Sequence, residues 1–341
     1  MIAATQPRTV RESGRLLVVE PRRHVYHDAR ITDLPELLRP DDLLVLNDAA
    51  TIPASLPAST SAGEPVEIRL MQRRHNFEWV AVLFGRGDWR IPTESRPAPA
   101  RLAAGELLYI GANFEARIVE IADPANRLVV LRFNRDEEGM WTGIYAYGRP
   151  VQYSYLKDDL TLWSVQTAYA SRPWAAEMPS AGHALSWSVL LGLKRRGIHI
   201  ASLTHAAGLS AVGSKELDAR LPMPESFEIP LETVSAIAKA QDEGRRIVAV
   251  GTTVVRALEG CAASHEGRIV AGRGETALII DETFRLSVVD ALLTGLHDPA
   301  ESHYRLLRAF SDEEPLRSAL HYATAAGYRD HEFGDSCLII H

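Results

Sequence analysis

The spacing of apolar positions changes twice along the chain and divides it into three regimes. In residues 13–56 the apolar runs are short and bounded by polar residues. Residues 15–19 and 42–48 read as strands, the second running into the polar pair Asn47-Asp48. Between them residues 31–38 read as a short helix, with Asp33 as its cap and Pro35 in its first turn. Residues 57–149 carry Pro, Gly and short alternating segments at roughly 10–15-residue intervals: 66–70, 79–83, 106–110, 115–119 and 128–133. Few helical patterns interrupt them, which predicts a small antiparallel barrel or sandwich. From about residue 184 helices and strands alternate. Helices are predicted at 186–196 and 231–243, each stopped by a glycine (Gly197, Gly244), and at 316–326. Strands are predicted at 198–200, 276–280 and 286–289. Asp298-Pro299-Ala300-Glu301 has the order of a capping box with Pro at the first helical position. The predicted fold class is α/β: a mixed-sheet α/β domain over 1–56 and 150–341, interrupted by an inserted antiparallel β-barrel domain over 57–149.

The most informative stretch is 247–259, Ile-Val-Ala-Val-Gly-Thr-Thr-Val-Val-Arg-Ala-Leu-Glu. It reads as a strand covered on both faces, a tight Gly251-Thr252-Thr253 turn and a helix. Gly251 permits close backbone approach, and Thr252 or Thr253 can cap the helix. A helix start with free N–H groups and hydroxyls suits polar or anionic ligand groups, and Arg256, one turn in, can face the same ligand. An ordinary capped strand-to-helix turn fits the pattern equally well.

Composition narrows the classes. The chain has 341 residues, 46% of them hydrophobic, and a formal net charge of -7. Nothing global advertises nucleic-acid binding. The only cysteines, Cys261 and Cys337, lack metal-ligand spacing, so neither a metal site nor a disulfide framework is expected. No signal-like N-terminus and no run of ~18 apolar residues is present. A cytoplasmic protein is the expectation.

Several loops carry candidate chemistry. Asn47 and Asp48 end a strand, where open α/β sheets place ligands. Ser180 and Gly182 lie in the small-residue loop Pro179–His183, which precedes a helix. His205 follows a strand and His297 precedes a helix, each beside small residues that leave room for a substrate. An imidazole suits proton transfer near neutral pH. Singly, each of these residues is as readily structural. Neither a Gly-x-Gly-x-x-Gly fingerprint after the early strands nor a P-loop occurs.

Taken in order, the motifs resemble those of the S-adenosylmethionine:tRNA ribosyltransferase-isomerase family of queuosine biosynthesis. They begin with Arg15-Leu16-Leu17 and continue with 43–48, followed by Ile52-Pro53-Ala54 and Leu56. Gln166-Thr167-Ala168-Tyr169-Ala170 and Pro179-Ser180-Ala181-Gly182 come next. Val250-Gly251-Thr252-Thr253 with Arg256 is the strongest match. Residues 289–294 with His297 and Pro299, then Ala309-Phe310, Tyr328-Arg329 and Gly334-Asp335, complete the series. The resemblance implies an α/β domain interrupted by a barrel. It also implies a reaction in which S-adenosylmethionine is consumed as a substrate and no metal takes part. The ribosyl group moves to a 7-aminomethyl-7-deazaguanine in tRNA and is isomerised to an epoxycyclopentane, and adenine and methionine leave. His205, His297 and Asp48 then become candidates for proton transfer. Asn47, Ser180, Gly182, Gly251, Thr252, Thr253 and Arg256 become candidates for substrate binding.

Departures from the family pattern are Ala50 and Ser55 in place of arginines, the altered segment 149–156, Ala184 in place of a His, Pro224, and Gly295 in place of an Asn. Lost arginines remove phosphate contacts. Two other readings therefore stay open: a paralogue with a non-tRNA small-molecule acceptor, and a non-catalytic RNA-binding protein.

Overall fold

The computed structural model describes residues 1–74, 77–123, 127–299 and 301–340. Its main sheet has nine strands, in the order Gly272–Thr276, Glu225–Ile229, His199–His205, Leu43–Asn47, Ile247–Val250, Ala291–Gly295, Ser336–Ile339, Arg15–Glu20, Val25–Arg30. The four central strands, His199–His205 to Ala291–Gly295, run parallel. Side chains alternate between the two faces with the period of a strand. Leu43, Val45, Ile247, Ala249 and Leu292 join one core, and Leu44, Leu46, Val248, Val250 and Leu293 the other. The first core is covered by the helices Leu231–Asp242, Thr252–Ser264 and Glu313–Ala325 through Ile237, Val254, Leu258 and Leu316. The second is covered by Leu34–Leu37 and Trp187–Arg195 through Leu34, Val189 and Leu193. With both faces buried, these strands read as continuous apolar runs rather than alternations.

Six strands close a separate antiparallel barrel in the order Phe114–Ile121, Leu128–Phe133, Glu78–Phe84, Pro65–Arg73, Ser55–Ser59, Leu107–Gly111. A helix not foreseen from the sequence, Glu137–Tyr147, packs on it through Met140 and Ile144. Asp136 caps that helix by accepting from the Gly139 amide at 2.9 Å. Gly139 and Gly143 hide the helical pattern, yet Gly143 is required because a Cβ there would strike the Phe114 ring.

Some predicted elements differ. Residues 286–289 form no strand, because the buried Glu259 carboxylate takes their amides. It accepts from Ser287, Val288 and Val289 N–H at 2.9–3.0 Å and from the Ser287 hydroxyl at 2.9 Å. The strand comes afterwards, at Ala291–Gly295. The strand predicted at 276–280 instead ends at Thr276. Beyond it the Thr276 hydroxyl accepts from the Leu278 amide at 3.1 Å, and the Leu278 carbonyl accepts from Arg256 at 3.4 Å. Asp33 does not cap forward. Its carboxylate reaches back to the Arg30 amide at 2.9 Å. The helix predicted from 299 starts at Ser302, with Glu301 at the cap position. Ala300 of the predicted capping box lies outside the described residues.

Candidate active site

The carboxyl ends of the parallel strands meet at Asn47. It is 1% exposed and uses all its amide atoms that face the sheet. Nδ2 donates to the His205 carbonyl (3.0 Å) and to Thr253 Oγ1 (3.2 Å). Oδ1 accepts from the amides of His205 (2.9 Å) and Ala49 (3.1 Å). One side chain thus ties together the ends of two strands and the start of a helix.

Next to it the chain turns at Gly251, whose φ of 92° is open to glycine and strained for other residues. The Gly251 amide donates to the Leu293 carbonyl at 2.8 Å. Gly251 itself occupies the cap position of helix Thr252–Ser264, so neither Thr252 nor Thr253 caps it as expected. The positive turn places both threonines inside the first turn, where backbone amides have no intrahelical acceptor. Thr253 is instead held by Asn47.

His205 is the last residue of its strand rather than part of a loop, and it is fully buried. Burial, with Arg256 nearby, lowers its pKa to about 3, so the imidazole is neutral. Glu225 Oε2 lies 3.4 Å from Nε2. That contact makes no hydrogen bond, and both ring nitrogens are buried without a hydrogen-bond partner. Arg256 is 6% exposed and forms an ion pair with Glu225, so its charge is spent within the protein. Its Nη2 is nevertheless buried without a partner. Unpaired polar atoms in such positions are costly unless something binds them.

His297 follows the strand paired with Ile247–Val250. Its Nε2 lies 2.9 Å from the Thr294 hydroxyl and its Nδ1 3.3 Å from Glu301 Oε2. Burial would raise the Glu301 pKa, but the hydrogen bond and charge of His297, with His303, hold it below the ordinary value. His303 stacks on His297 with centroids 5.0 Å apart, and burial lowers its pKa to about 4. His297, Glu301 and His303 bring one ligand atom each within 4.8 Å of one another, the geometry of a cation site. Both His297 nitrogens already have partners, which leaves this trio poorly disposed to coordinate.

On the other side Asp48 accepts from the hydroxyls of Thr204 (2.6 Å) and Ser171 (2.9 Å). Ser180–Gly182 forms a single 3₁₀ turn, and Ala181 lies 3.4 Å from where a Gly251 Cβ would stand. Gly182 is needed because a Cβ there would meet the Tyr169 hydroxyl. That hydroxyl is buried without a partner, and its pKa is raised by burial and by Asp48. His183 turns away: Nε2 lies 3.2 Å from the Ser164 carbonyl, and burial lowers its pKa to about 4.

The sequence candidates therefore gather along one sheet edge, from Gly182 and Asp48 through Asn47, Gly251 and Thr253 to His205, with His297 on the adjoining strand end. Glu225, Glu301, His303 and Tyr169 complete the edge. Sequence reasoning gave them no chemical role: Tyr169 entered only within the motif at 166–170 and Glu301 only as part of a capping box. Such an edge offers amides and hydroxyls to a polar ligand, a neutral buried imidazole, and a half-buried imidazole backed by a carboxylate. That is equipment for binding a polar ligand and moving protons.

A family model described as queuosine biosynthesis protein matches residues 1–339. The chain is 36% identical to a Gloeobacter violaceus protein named S-adenosylmethionine:tRNA ribosyltransferase-isomerase, over 99% of this chain and 92% of that one. A Thermus thermophilus protein of the same name is also 36% identical, over 97% and 93%. A crystal structure of S-adenosylmethionine tRNA ribosyltransferase from Thermotoga maritima aligns with a TM-score of 0.54 at 25% identity, over 99% of this chain and 96% of that one. The chain belongs to the queuosine biosynthesis protein family.

Proposed function

We propose that this protein transfers the ribosyl group of S-adenosylmethionine to a 7-aminomethyl-7-deazaguanine in tRNA and isomerises it, releasing adenine and methionine. The observation that carries the reading is the convergence of Asn47, Gly251, Thr253, His205 and His297 on one sheet edge, in a chain matched to its relatives over nearly its whole length. S-adenosylmethionine is consumed, so it is a substrate. Its sulfonium acidifies the neighbouring C5′ protons, and a modest base can then start the reaction.

His297 suits that base. Its Nδ1 faces Glu301, which steadies the imidazolium, and its Nε2, held by the Thr294 hydroxyl, takes the proton once that hydroxyl turns aside. His205 suits a different task. An imidazole with a pKa of about 3 stays neutral at pH 7, so it donates or accepts a hydrogen bond without carrying charge. The departing adenine needs a proton, and Asp48 is placed to relay one through Thr204 or Ser171. The first-turn amides after Gly251, the Thr252 hydroxyl and Arg256 Nη2 bind the nucleoside's polar groups. Ser180 and Gly182 close the edge beside Tyr169.

The inserted unit expected over 57–149 starts two residues earlier, since Ser55–Ser59 is a barrel strand; the rest of 1–56 with 150–341 makes up the α/β domain, and the barrel flanks the acceptor side. A tRNA substrate places the enzyme in the cytoplasm, consistent with the absence of any helix among the described residues long and apolar enough to cross a membrane.

The test is incubation with ribose-labelled S-adenosylmethionine, with and without tRNA bearing the deazaguanine. Mass spectrometry should find label on the tRNA and free adenine. Adenine release with a small acceptor alone would favour a paralogue, and no release at all would leave only RNA binding.

A further inference from the structure

Of the six tryptophans, four are buried or half-buried and two are exposed. Trp163, 79% exposed, stands on the 3₁₀ turn Leu162–Val165. Trp187, 59% exposed, opens the helix Trp187–Arg195. His183, next to Gly182, joins the two supports. Its Nε2 lies 3.2 Å from the carbonyl of Ser164, the residue after Trp163. From His183 the chain runs on to Ser186, which caps the Trp187 helix by accepting from the Val189 amide at 3.4 Å.

Both supports are braced. The Thr51 hydroxyl donates to the Val165 carbonyl at 2.7 Å, and the Gln166 side chain accepts from the Thr51 amide (3.0 Å) and donates to its carbonyl (2.8 Å). Arg11 Nη1 donates to the Gln166 carbonyl at 2.7 Å, and the neighbouring Glu12 accepts from the Ser188 hydroxyl at 3.2 Å. Residues 11 and 12 thus bridge the turn that carries Trp163 and the helix that carries Trp187. Two indoles held out into water on fixed backbone add nothing to a core, and such apolar surface marks a place where something binds.

Charge tells what covers them. Leu191, Lys194 and Arg195 follow Trp187 at the spacing of one helix face and are exposed, while Val189, Leu190 and Leu193 face the core. Lys194, Arg195, Arg196 and Arg11 form no ion pair among the described residues. In a chain of net charge -7, this face gathers two indoles and four cations free of acids. Protein interfaces are depleted of lysine. Unpaired nucleic acid is met by this mixture, its bases stacking on rings and its phosphates drawn to the cations.

We infer that Trp163 and Trp187 form a stacking platform for unpaired bases beside the reacting deazaguanine, and that Arg11, Lys194 and Arg195 take phosphates of the same strand. The inference rests on the tRNA acceptor proposed above and names how that substrate is held. A base that reacts at the sheet edge has left its stack, so its neighbours in the strand lose a partner. The indoles supply one at the Gly182 end of that edge, where Ser171 also ties the Trp163 segment to Asp48 at 2.9 Å. From Trp187 to Arg195 the helix rises about 12 Å, enough to follow a few nucleotides. Ala50 and Ser55 stand where the family pattern has arginines, so stacking carries a larger share of the affinity in this chain.

The test is the dissociation constant for tRNA bearing the deazaguanine, measured by filter binding on the full-length chain at about 50 and 200 mM salt. Trp163→Ala and Trp187→Ala should each weaken binding by about 5- to 100-fold and leave its salt dependence unchanged, while the Phe variants should keep most of the affinity. Lys194→Ala with Arg195→Ala should instead flatten the salt dependence. Both rings are exposed, so the alanine variants should melt with wild type and bind S-adenosylmethionine equally well. Wild-type tRNA affinity in either alanine variant would overturn the inference. So would a wild-type dimer in sedimentation that Trp187→Ala splits without loss of tRNA affinity, which would give this face to a second copy. Failure of the function itself would show separately, as wild type that binds this tRNA through the tryptophans and releases no adenine.

Discussion

Replacing Asn47 by alanine probes whether one buried amide holds the sheet edge together. The substitution removes four hydrogen bonds. It leaves the His205 and Ala49 amides without the Asn47 oxygen, while the His205 carbonyl still accepts from the Ala207 amide at 3.0 Å and Thr253 keeps access to solvent or substrate. An unmade bond at a buried group costs about 1–3 kcal/mol, and water that enters the new space recovers part of it. The expected destabilisation is therefore about 2–4 kcal/mol, above that of most single substitutions. At roughly 2–4 °C per kcal/mol for a domain of this size, the melting temperature should fall by about 10 °C. Calorimetric melting of wild type and Asn47→Ala measures it. KM for S-adenosylmethionine should rise as well, since His205 and Thr253 lose their common tether. A melting temperature within 2 °C or so of wild type, with KM unchanged, would refute the clamp, because the two unsatisfied amides would have found no penalty.

Other substitutions separate the remaining roles. His297→Gln should keep S-adenosylmethionine binding and lose turnover by about 10²–10⁴-fold, measured as adenine release. Glu259→Gln turns an amide toward backbone N–H donors, and should destabilise the protein by about 2–4 kcal/mol in a melting experiment, with no direct contact to substrate involved. Folding stability should also fall on acidification from about pH 6.5 toward 3–4. The native pKa values of His205 (about 3) and His183 (about 4) lie below the unfolded value, so the unfolded chain binds more protons in that window. Melting curves at pH 7.5, 6 and 5 should show this, and His183→Gln should lessen the slope. Gly251→Ala should cost about 1–3 kcal/mol from its φ of 92° and impair S-adenosylmethionine binding beyond that of a surface Gly→Ala control, read by calorimetry.

Much of the sheet was legible because its central strands are apolar on both faces, as in 247–250, and because glycines at 197, 244 and 251 mark real turns with positive φ. The barrel strands were legible through their alternation. What escaped did so for stated physical reasons. At 286–289 the β-like sequence is overruled by the long-range Glu259 carboxylate, which no local window contains. Helix Glu137–Tyr147 escaped because packing against Phe114 selects glycine where propensity does not. The positions of Asn47, His205, Gly251 and His297 could be suggested by motif order. That Arg256 pairs with Glu225, or that Glu301 stands behind His297, depends on residues brought together only by folding.

The Glu259 carboxylate has a reach beyond stability. It sits on the helix that begins at Gly251 and grips the backbone just ahead of the strand that ends near His297. The proposed nucleoside seat and proton carrier are therefore mounted on one braced frame, with the brace two helical turns along from Gly251. A cleft built so resists breathing along that axis, which favours a sequence of bond changes that must each find the same partners in place.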